Sequence, residues 1–302
     1  MHLIDEQRAN EIYDGMGPSI EMSGGSAANT MAGIAALTGR GHYIGKVHDD
    51  QLGKVFAHDL RAVGVDYTTP PTSTGAATGC CLILVTPDAQ RTMNTYLGAS
   101  VQLDPSDVDP EIIGSARLLY LEGYLFDPPA AKAAFWRAAA DAHERNTVVT
   151  LTLSDPFCVD RHRGDFREFV AGAVDVLFAN ESELCSLYEV NSLDEAISAV
   201  RADCALAAIT CGLDGSLVVC GDDLVKVGIE AVEAVADTTG AGDLYASGFL
   251  FGLARGLSLE TCGRLGAICA AEAISHLGAR PQADLAELVS PVLGNAPSAD
   301  PR

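Results

Sequence analysis

Along most of its length the chain alternates short apolar runs with longer amphipathic ones. Arg117 to Leu121, Thr147 to Leu153, Val174 to Ala179 and Ala205 to Thr210 are largely apolar and read as buried strands. Helix-like stretches separate them, the clearest from about Pro129 to Glu144. Alternation of this kind predicts a parallel sheet covered by helices. Cys211-Gly212-Leu213-Asp214-Gly215 leads from the last of these strands into Ser216 to Val219, which predicts a hairpin near one edge of the sheet. Two Ala- and Gly-rich helices, roughly Gly242 to Arg255 and Leu259 to His276, close the chain, and residues 291–302 are expected to form a loose tail. The stretch from Tyr67 to Ser100 breaks the pattern: Thr/Pro-rich turns, then Thr78 to Thr86, a Pro87-Asp88 turn, and Arg91 to Leu97. Two antiparallel strands without an intervening helix are expected to project from the main sheet as a flap, and a flap that closes over a ligand excludes water.

Composition narrows what such a fold does. The 302 residues suffice for one large α/β domain or one domain with an appendage, with 48% hydrophobic and 20% charged residues. The 41 acidic against 19 basic residues give a formal charge of −22, which argues against a nucleic-acid or anionic-membrane surface. An anionic substrate therefore needs a locally organised site. No apolar run approaches the ~20 residues of a membrane span. The nine cysteines include no Cys-x-x-Cys pair, so a zinc or dithiol site has little support. Reduced, mostly buried thiols in a cytoplasmic protein are the expectation.

Against this background one segment stands out: Asp237-Thr238-Thr239-Gly240-Ala241-Gly242-Asp243, running into the apolar stretch Leu244 to Leu253. Small residues at a helix start allow close backbone approach, and the first helical turn offers unpaired N–H groups to phosphate oxygens. Asp243 lies beside that anion site. As a helix-dipole acid alone it would contribute ~0.3–1 kcal/mol, which leaves the preceding Gly-Ala-Gly unexplained. A base beside a phosphoryl cradle accounts for both. Ser23-Gly24-Gly25-Ser26-Ala27-Ala28-Asn29 opens another helix, running to about Leu37, where Asn29 is placed to bind hydroxyls; the alternative is a tight turn with Ser26 as N-cap. Asn180-Glu181-Ser182-Glu183 follows a strand, so Glu183 either organises Mg²⁺ through water or closes a capping box with Asn180. Thr210, Gly212 and Gly215 either touch donor phosphates or merely form a turn, and Arg91 on the flap either meets an anion or is solvated.

Taken together these residues resemble the ribokinase-like (PfkB) carbohydrate kinase family. Two signatures carry the resemblance: Gly24-Gly25-Ser26-Ala27-Ala28-Asn29 with the downstream Ile44-Gly45-Lys46-Val47-His48-Asp49-Asp50-Gln51-Leu52-Gly53, and Asp237 to Asp243. Arg91 to Ala99 is similar to the adenosine kinase-like branch. The resemblance implies a three-layer α/β/α core with a mostly parallel sheet, plus a small β-sheet lid. It divides the chain into a partial lid segment at 1–22, core at 23–66, lid at 67–100 and core with the ATP site at 101–290. It further implies transfer of the ATP γ-phosphoryl to a primary hydroxyl of a nucleoside or sugar. Asp243 would be the base, and Gly240, Ala241 and Gly242 would form the anion hole with it. Gly24, Gly25 and Asn29 would hold the acceptor. Asn180, Glu183, Thr210, Gly212 and Gly215 would line the ATP and Mg²⁺ site, and Asp237 and Thr239 resemble a monovalent-cation (K⁺) site.

The start of the chain departs from the family pattern. Family members usually begin with a core strand carrying an acidic or amide ligand of the acceptor, whereas Met1-His2-Leu3-Ile4-Asp5 resembles the lid strand that follows it. Asp5 is therefore not expected to bind the acceptor; either the sequence lacks its true start, which is the leading expectation, or the chain has lost a core strand and an acceptor contact. The leading expectation is a kinase for adenosine or a related nucleoside, working as a monomer or a lid-paired homodimer. Its rivals are a kinase for ribose or a keto-deoxy sugar acid, and a non-catalytic binding protein of the same fold.

Overall fold

The computed structural model describes residues 1–87 and 91–294, so Asp88 of the expected flap turn and the tail from residue 295 lie outside the described residues. The strands are β1 (His2–Leu3), β2 (His42–Tyr43), β3 (Asp66–Tyr67), β4 (Thr78–Val85), β5 (Arg91–Gly98), β6 (Leu118–Glu122), β7 (Val148–Thr152), β8 (Val176–Asn180), β9 (Leu206–Thr210), β10 (Ser216–Cys220) and β11 (Asp223–Val227). The helices are α1 (Glu6–Gly15), α2 (Ser26–Ala36), α3 (Gln51–Ala62), α4 (Pro110–Ser115), α5 (Pro129–Glu144), α6 (Pro156–Ala173), α7 (Glu181–Tyr188), α8 (Leu193–Asp203), α9 (Ala241–Ala254), α10 (Leu259–Ile274) and α11 (Leu285–Gly294).

Six strands form the central sheet in the order β11-β10-β9-β8-β7-β6. From β6 to β9 the strands are parallel, and the antiparallel β10 and β11 finish one edge. Side chains along a strand alternate between faces, and here both faces are covered. Leu177 and Ala179 of β8 enter the core beneath α5 to α8, while Val176 and Phe178 enter the core beneath α9 and α10. The result is the three-layer α/β/α architecture. Helix α9 is buried from Leu244 to Gly252, because the sheet lies on one side and α2 and α10 on the other. Phe249 of α9 meets Phe178 edge-on, with centroids 5.4 Å apart.

A separate sheet of order β1-β5-β4 stands off this core, with β4 and β5 antiparallel and β1 parallel to β5. Helix α1 packs on it, and Asp5 caps that helix by accepting from the Arg8 N–H at 2.8 Å. Tyr67, where the flap was expected to begin, instead pairs with Tyr43 in the β2–β3 sheet. Its ring is 5.6 Å from Tyr43 and 5.8 Å from Phe56, so it is anchored in the core and the projecting sheet starts at Thr78.

The tail boundary also moves. The chain stays helical through Gly294, past the Pro291 that was expected to end order. Proline cannot donate to the carbonyl four residues back. That acceptor, the Glu287 carbonyl, takes the Ser290 hydroxyl at 2.8 Å instead. All nine cysteines are free, and only Cys81 is exposed. No helix among the described residues is long and apolar enough to cross a membrane.

Candidate active site

The carboxyl ends of the parallel strands gather the chemistry. Glu122 closes β6 opposite Thr152 of β7, and Asn180 closes β8 opposite Thr210 of β9. Ligands of open α/β sheets bind outside this edge. Helices α2, behind Gly25, and α9, behind Gly240, enter it with no side chain capping their first turns, and α5, behind Pro128, is uncapped as well. By contrast α1, α3, α6, α7, α8 and α10 are all capped by Asp, Asn or Ser. The Ala241 N–H makes a long bond to the Thr238 carbonyl at 3.4 Å, and the rest of the uncapped first turn of α9 is available to an anion.

Glycine at 240 is required twice over. Its φ of 80° is left-handed, and a Cβ there would lie 2.5 Å from the Ala279 Cβ. Gly242 differs: a Cβ would meet nothing within 4 Å, so open space lies over the helix start.

Asp243 projects from the first turn of α9 onto α2. It accepts from the Ser26 hydroxyl at 2.7 Å and from the Asn29 amide Nδ2 at 2.9 Å. Asn29 Oδ1 accepts in turn from Arg280 Nε at 3.0 Å, which fixes the amide with its nitrogen toward the carboxylate. Burial pushes the Asp243 carboxyl above the ordinary aspartate range. The Asn29 and Ser26 hydrogen bonds, with the positive charges of Arg91 and Arg280, pull it part of the way back. A carboxylate raised in this way is a better proton acceptor than a free aspartate.

Around it lie further acids. Glu122 accepts from the Ala27 N–H at 2.8 Å, and burial raises its carboxyl to about 7, with the Asp243 charge adding to the effect. Glu183 is likewise raised to about 7 by burial, then by the charges of Asp155 and Asp243. The Tyr124 phenol, donating to the Ser154 carbonyl at 3.0 Å, is pushed up by burial and by the four carboxylates of Asp155, Asp243, Glu122 and Glu183.

The residues expected on the donor side are more self-contained. Asn180 and Glu183 form the full capping box: the Asn180 N–H and Nδ2 donate to Glu183 at 2.9 and 2.7 Å, and the Glu183 N–H donates back at 2.8 Å. Gly212 lies in a short 3-10 turn, and Gly215 faces the Val227 carbonyl, where a Cβ would approach to 2.1 Å. The turn and the hairpin behind it thus account for both glycines. Asp237 accepts from the Thr239 N–H at 2.9 Å, the Thr239 hydroxyl at 2.7 Å and the Gly278 N–H at 3.1 Å, tying the anion-site loop to the segment after α10. From the projecting sheet, Arg91 donates to the Thr238 hydroxyl, so it reaches the signature segment.

Three contributors do not stand out in the sequence. Ser26 reads there as a cap, but the cap position is Gly25 and the hydroxyl serves Asp243. Glu122 carries a usable signal, an acid at the end of an apolar strand, the same signal that singles out Asn180-x-x-Glu183. Arg280 carries none.

A carboxylate held across two helices, beside an open helix start at the carboxyl edge of a parallel sheet, has the parts that phosphoryl transfer asks for. Comparison with known proteins gives the family. Residues 20–285 match the pfkB family carbohydrate kinase. An adenosine kinase structure from Sinorhizobium meliloti is 49% identical with a TM-score of 0.93, covering 95% of this chain and 88% of that one. A probable sugar kinase from Rhizobium etli CFN 42 is 47% identical, also with a TM-score of 0.93, covering 95% and 87%. A 5-dehydro-2-deoxygluconokinase from Geobacillus thermodenitrificans is 26% identical over 287 residues, 90% of this chain and 85% of that protein. The chain belongs to the pfkB family of carbohydrate kinases. It is a small-molecule kinase with an alcohol group as acceptor, and its family uses ATP as phosphoryl donor.

Proposed function

We propose that the chain transfers the γ-phosphoryl of ATP to the 5′-hydroxyl of adenosine or a closely related nucleoside, with Asp243 as the base. The observation that carries this reading is the Asp243 carboxylate, held by Ser26 and Asn29 at the open start of α9. Its oxygens face the acceptor helix α2, and its own helix offers the anion site. Asp243 takes the proton of the acceptor hydroxyl as that oxygen attacks the γ-phosphorus. The bond to the bridging oxygen breaks, and ADP leaves. The first-turn N–H groups of Gly240 to Asp243 stabilise the charge on the transferred group, which is most of what phosphoryl transfer asks of a protein. Gly24, Gly25 and Asn29 hold the acceptor, and Thr210, Gly212 and Gly215 border the donor.

Among the described residues no three His, Cys, Asp or Glu side chains converge to cage a metal. Glu183 already spends both oxygens on Asn180. That donor set fits Mg²⁺, which keeps much of its water and binds substrate phosphates. The ion would be held near Glu183 and Asn180 through water, and it supplies charge neutralisation on the donor phosphates. The potassium reading rests on Asp237 and Thr239, whose bonds to each other and to Gly278 shape the anion-site loop.

The choice of adenosine draws on the 49% identical adenosine kinase. The 26% identical 5-dehydro-2-deoxygluconokinase keeps a keto-deoxy sugar acid as the second reading. ADP release measured over adenosine, other nucleosides, ribose and sugar acids, in potassium and in sodium salts, tests both. Adenosine is expected to be turned over best, and faster in potassium. No turnover of any nucleoside would sink the first reading, and no turnover of any acceptor would leave a binding protein.

A further inference from the structure

Arg280 lies in a loop without any recognisable motif, yet that loop is fixed at three points. The Gly278 N–H donates to Asp237 at 3.1 Å, and Ala279 packs against the Gly240 that opens α9. The N–H groups of Gln282 and Ala283 each donate to Glu272 Oε1 at 2.8 Å. A loop held this firmly presents its side chain in a set place. The guanidinium there is poorly satisfied. Nε donates to Asn29, but Nη2 is closed off from solvent and has no hydrogen-bond partner among the described residues. The charged and titratable groups acting on it are Asp59 of α3, Tyr43 of β2 and Asp243 of α9, and none of them hydrogen-bonds to it among the described residues. Burial accordingly draws the Arg280 pKa down. An unpaired buried donor on a cation destabilises the fold unless something else pairs it.

The something else is the substrate. We propose that Arg280 is an acceptor-recognition residue: its Nη donors take a hydroxyl oxygen of a neutral, polyhydroxylated acceptor beside Asn29, while Nε keeps the Asn29 amide turned toward Asp243. The neutrality of the acceptor follows from the surrounding charge. Asp59 and Asp243 already balance the guanidinium at longer range, and Glu122 meets the same helix through Ala27. A carboxylate brought by the acceptor would add a further negative charge next to the base. A hydroxyl pairs the donor without that penalty. This role deepens the nucleoside reading above and rests on it.

The test is Arg280→Gln, assayed with ATP and with adenosine, 2′-deoxyadenosine and 3′-deoxyadenosine. A lost hydrogen bond to a charged group predicts an acceptor KM raised about 10- to 100-fold. The ATP KM should stay within about twofold, since the donor side is untouched. One of the two deoxynucleosides should be penalised by the wild-type enzyme and lose that penalty in the variant, because its missing hydroxyl is the one Arg280 binds. An unchanged adenosine KM, or both penalties persisting in full, would overturn the role of Arg280. Wild-type turnover of adenosine is the control: its absence overturns the proposed function itself, a result distinct from an unaffected variant. Should Arg280→Gln fail to fold, Arg280→Lys keeps the charge, removes the fork and carries the same measurement.

Discussion

Asp243 and Glu183 are two carboxylates in comparable places, each in the first turn of a helix at the carboxyl edge of the sheet. Both titrate above the ordinary range because burial penalises their charge. They differ in who holds them. Glu183 is bound by Asn180, three residues away, in a reciprocal cap that would form wherever this helix was placed. Asp243 is bound by Ser26 and Asn29, more than 200 residues away on another helix, and leaves its own helix uncapped. A local carboxylate builds its helix whatever else it does. A carboxylate withdrawn from capping and aimed across the fold is free for the base role proposed for Asp243.

The strongest way to break this contrast is Asp243→Asn. Loss of a general base predicts turnover reduced roughly 100- to 10,000-fold. Asparagine is isosteric, so the α2 contact persists in part and the ATP KM should change by no more than a few-fold. Single-turnover ADP release separates the two quantities. Turnover within tenfold of wild type would remove Asp243 from the base role and with it the meaning of the comparison.

Glu183→Gln sharpens the other half. The folded carboxyl titrates at about 7 against an ordinary 4.5, so between these values the folded state holds a proton that the unfolded state has released. Stability from this group therefore falls as pH rises from about 4.5 to about 7. Glutamine has no proton to lose, so the variant should gain on wild type between pH 5 and pH 8, by on the order of 1–3 kcal/mol. Urea midpoints at the two pH values measure that gain. If Glu183 also organises the donor, turnover at limiting Mg²⁺ should fall about tenfold, and saturating Mg²⁺ should restore part of it. A stability effect with an unchanged Mg²⁺ requirement reduces Glu183 to a cap.

The same contrast separates the features that are legible in the sequence from those that are hidden in it. The helix Pro129–Glu144 and the capping box at Asn180 and Glu183 are legible because their determinants lie within a few residues of one another. Asp243 and Asn29 are each legible from their own segments. That they meet at 2.9 Å is not, since 214 positions separate them and no local rule fixes the packing of α2 on α9. Glu122 is hidden for a milder reason, being the last residue of a strand whose apolar run dominates the pattern. Arg280 is illegible, because its place depends on Asp237 and Glu272 gripping its loop. Helix α11 outruns its expected end because Ser290 replaces a bond that Pro291 cannot make. The parallel sheet is legible throughout, as strands buried on both faces have few alternatives.

The smallest effect is expected at Arg91, where the projecting sheet touches the signature segment through the Thr238 hydroxyl. Arg91 is exposed, and its positive charge favours the ionised forms of Asp237 and Asp243. In Arg91→Ala the Asp243 carboxyl should rise further, moving the acidic limb of the kcat profile to higher pH. At pH 8 turnover should fall less than about tenfold. Because the charge is exposed, ions screen it, and the shift of the limb should shrink on going from about 0.01 M to 1 M salt. The base on the buried side of the site should show no such salt dependence when its partner Asn29 is replaced by Ala, since those contacts lie out of reach of mobile ions. A limb that moves equally at both salt concentrations in Arg91→Ala, or a loss well beyond tenfold at pH 8, would place Arg91 on the substrate and make the lid a third party to the comparison between Asp243 and Glu183.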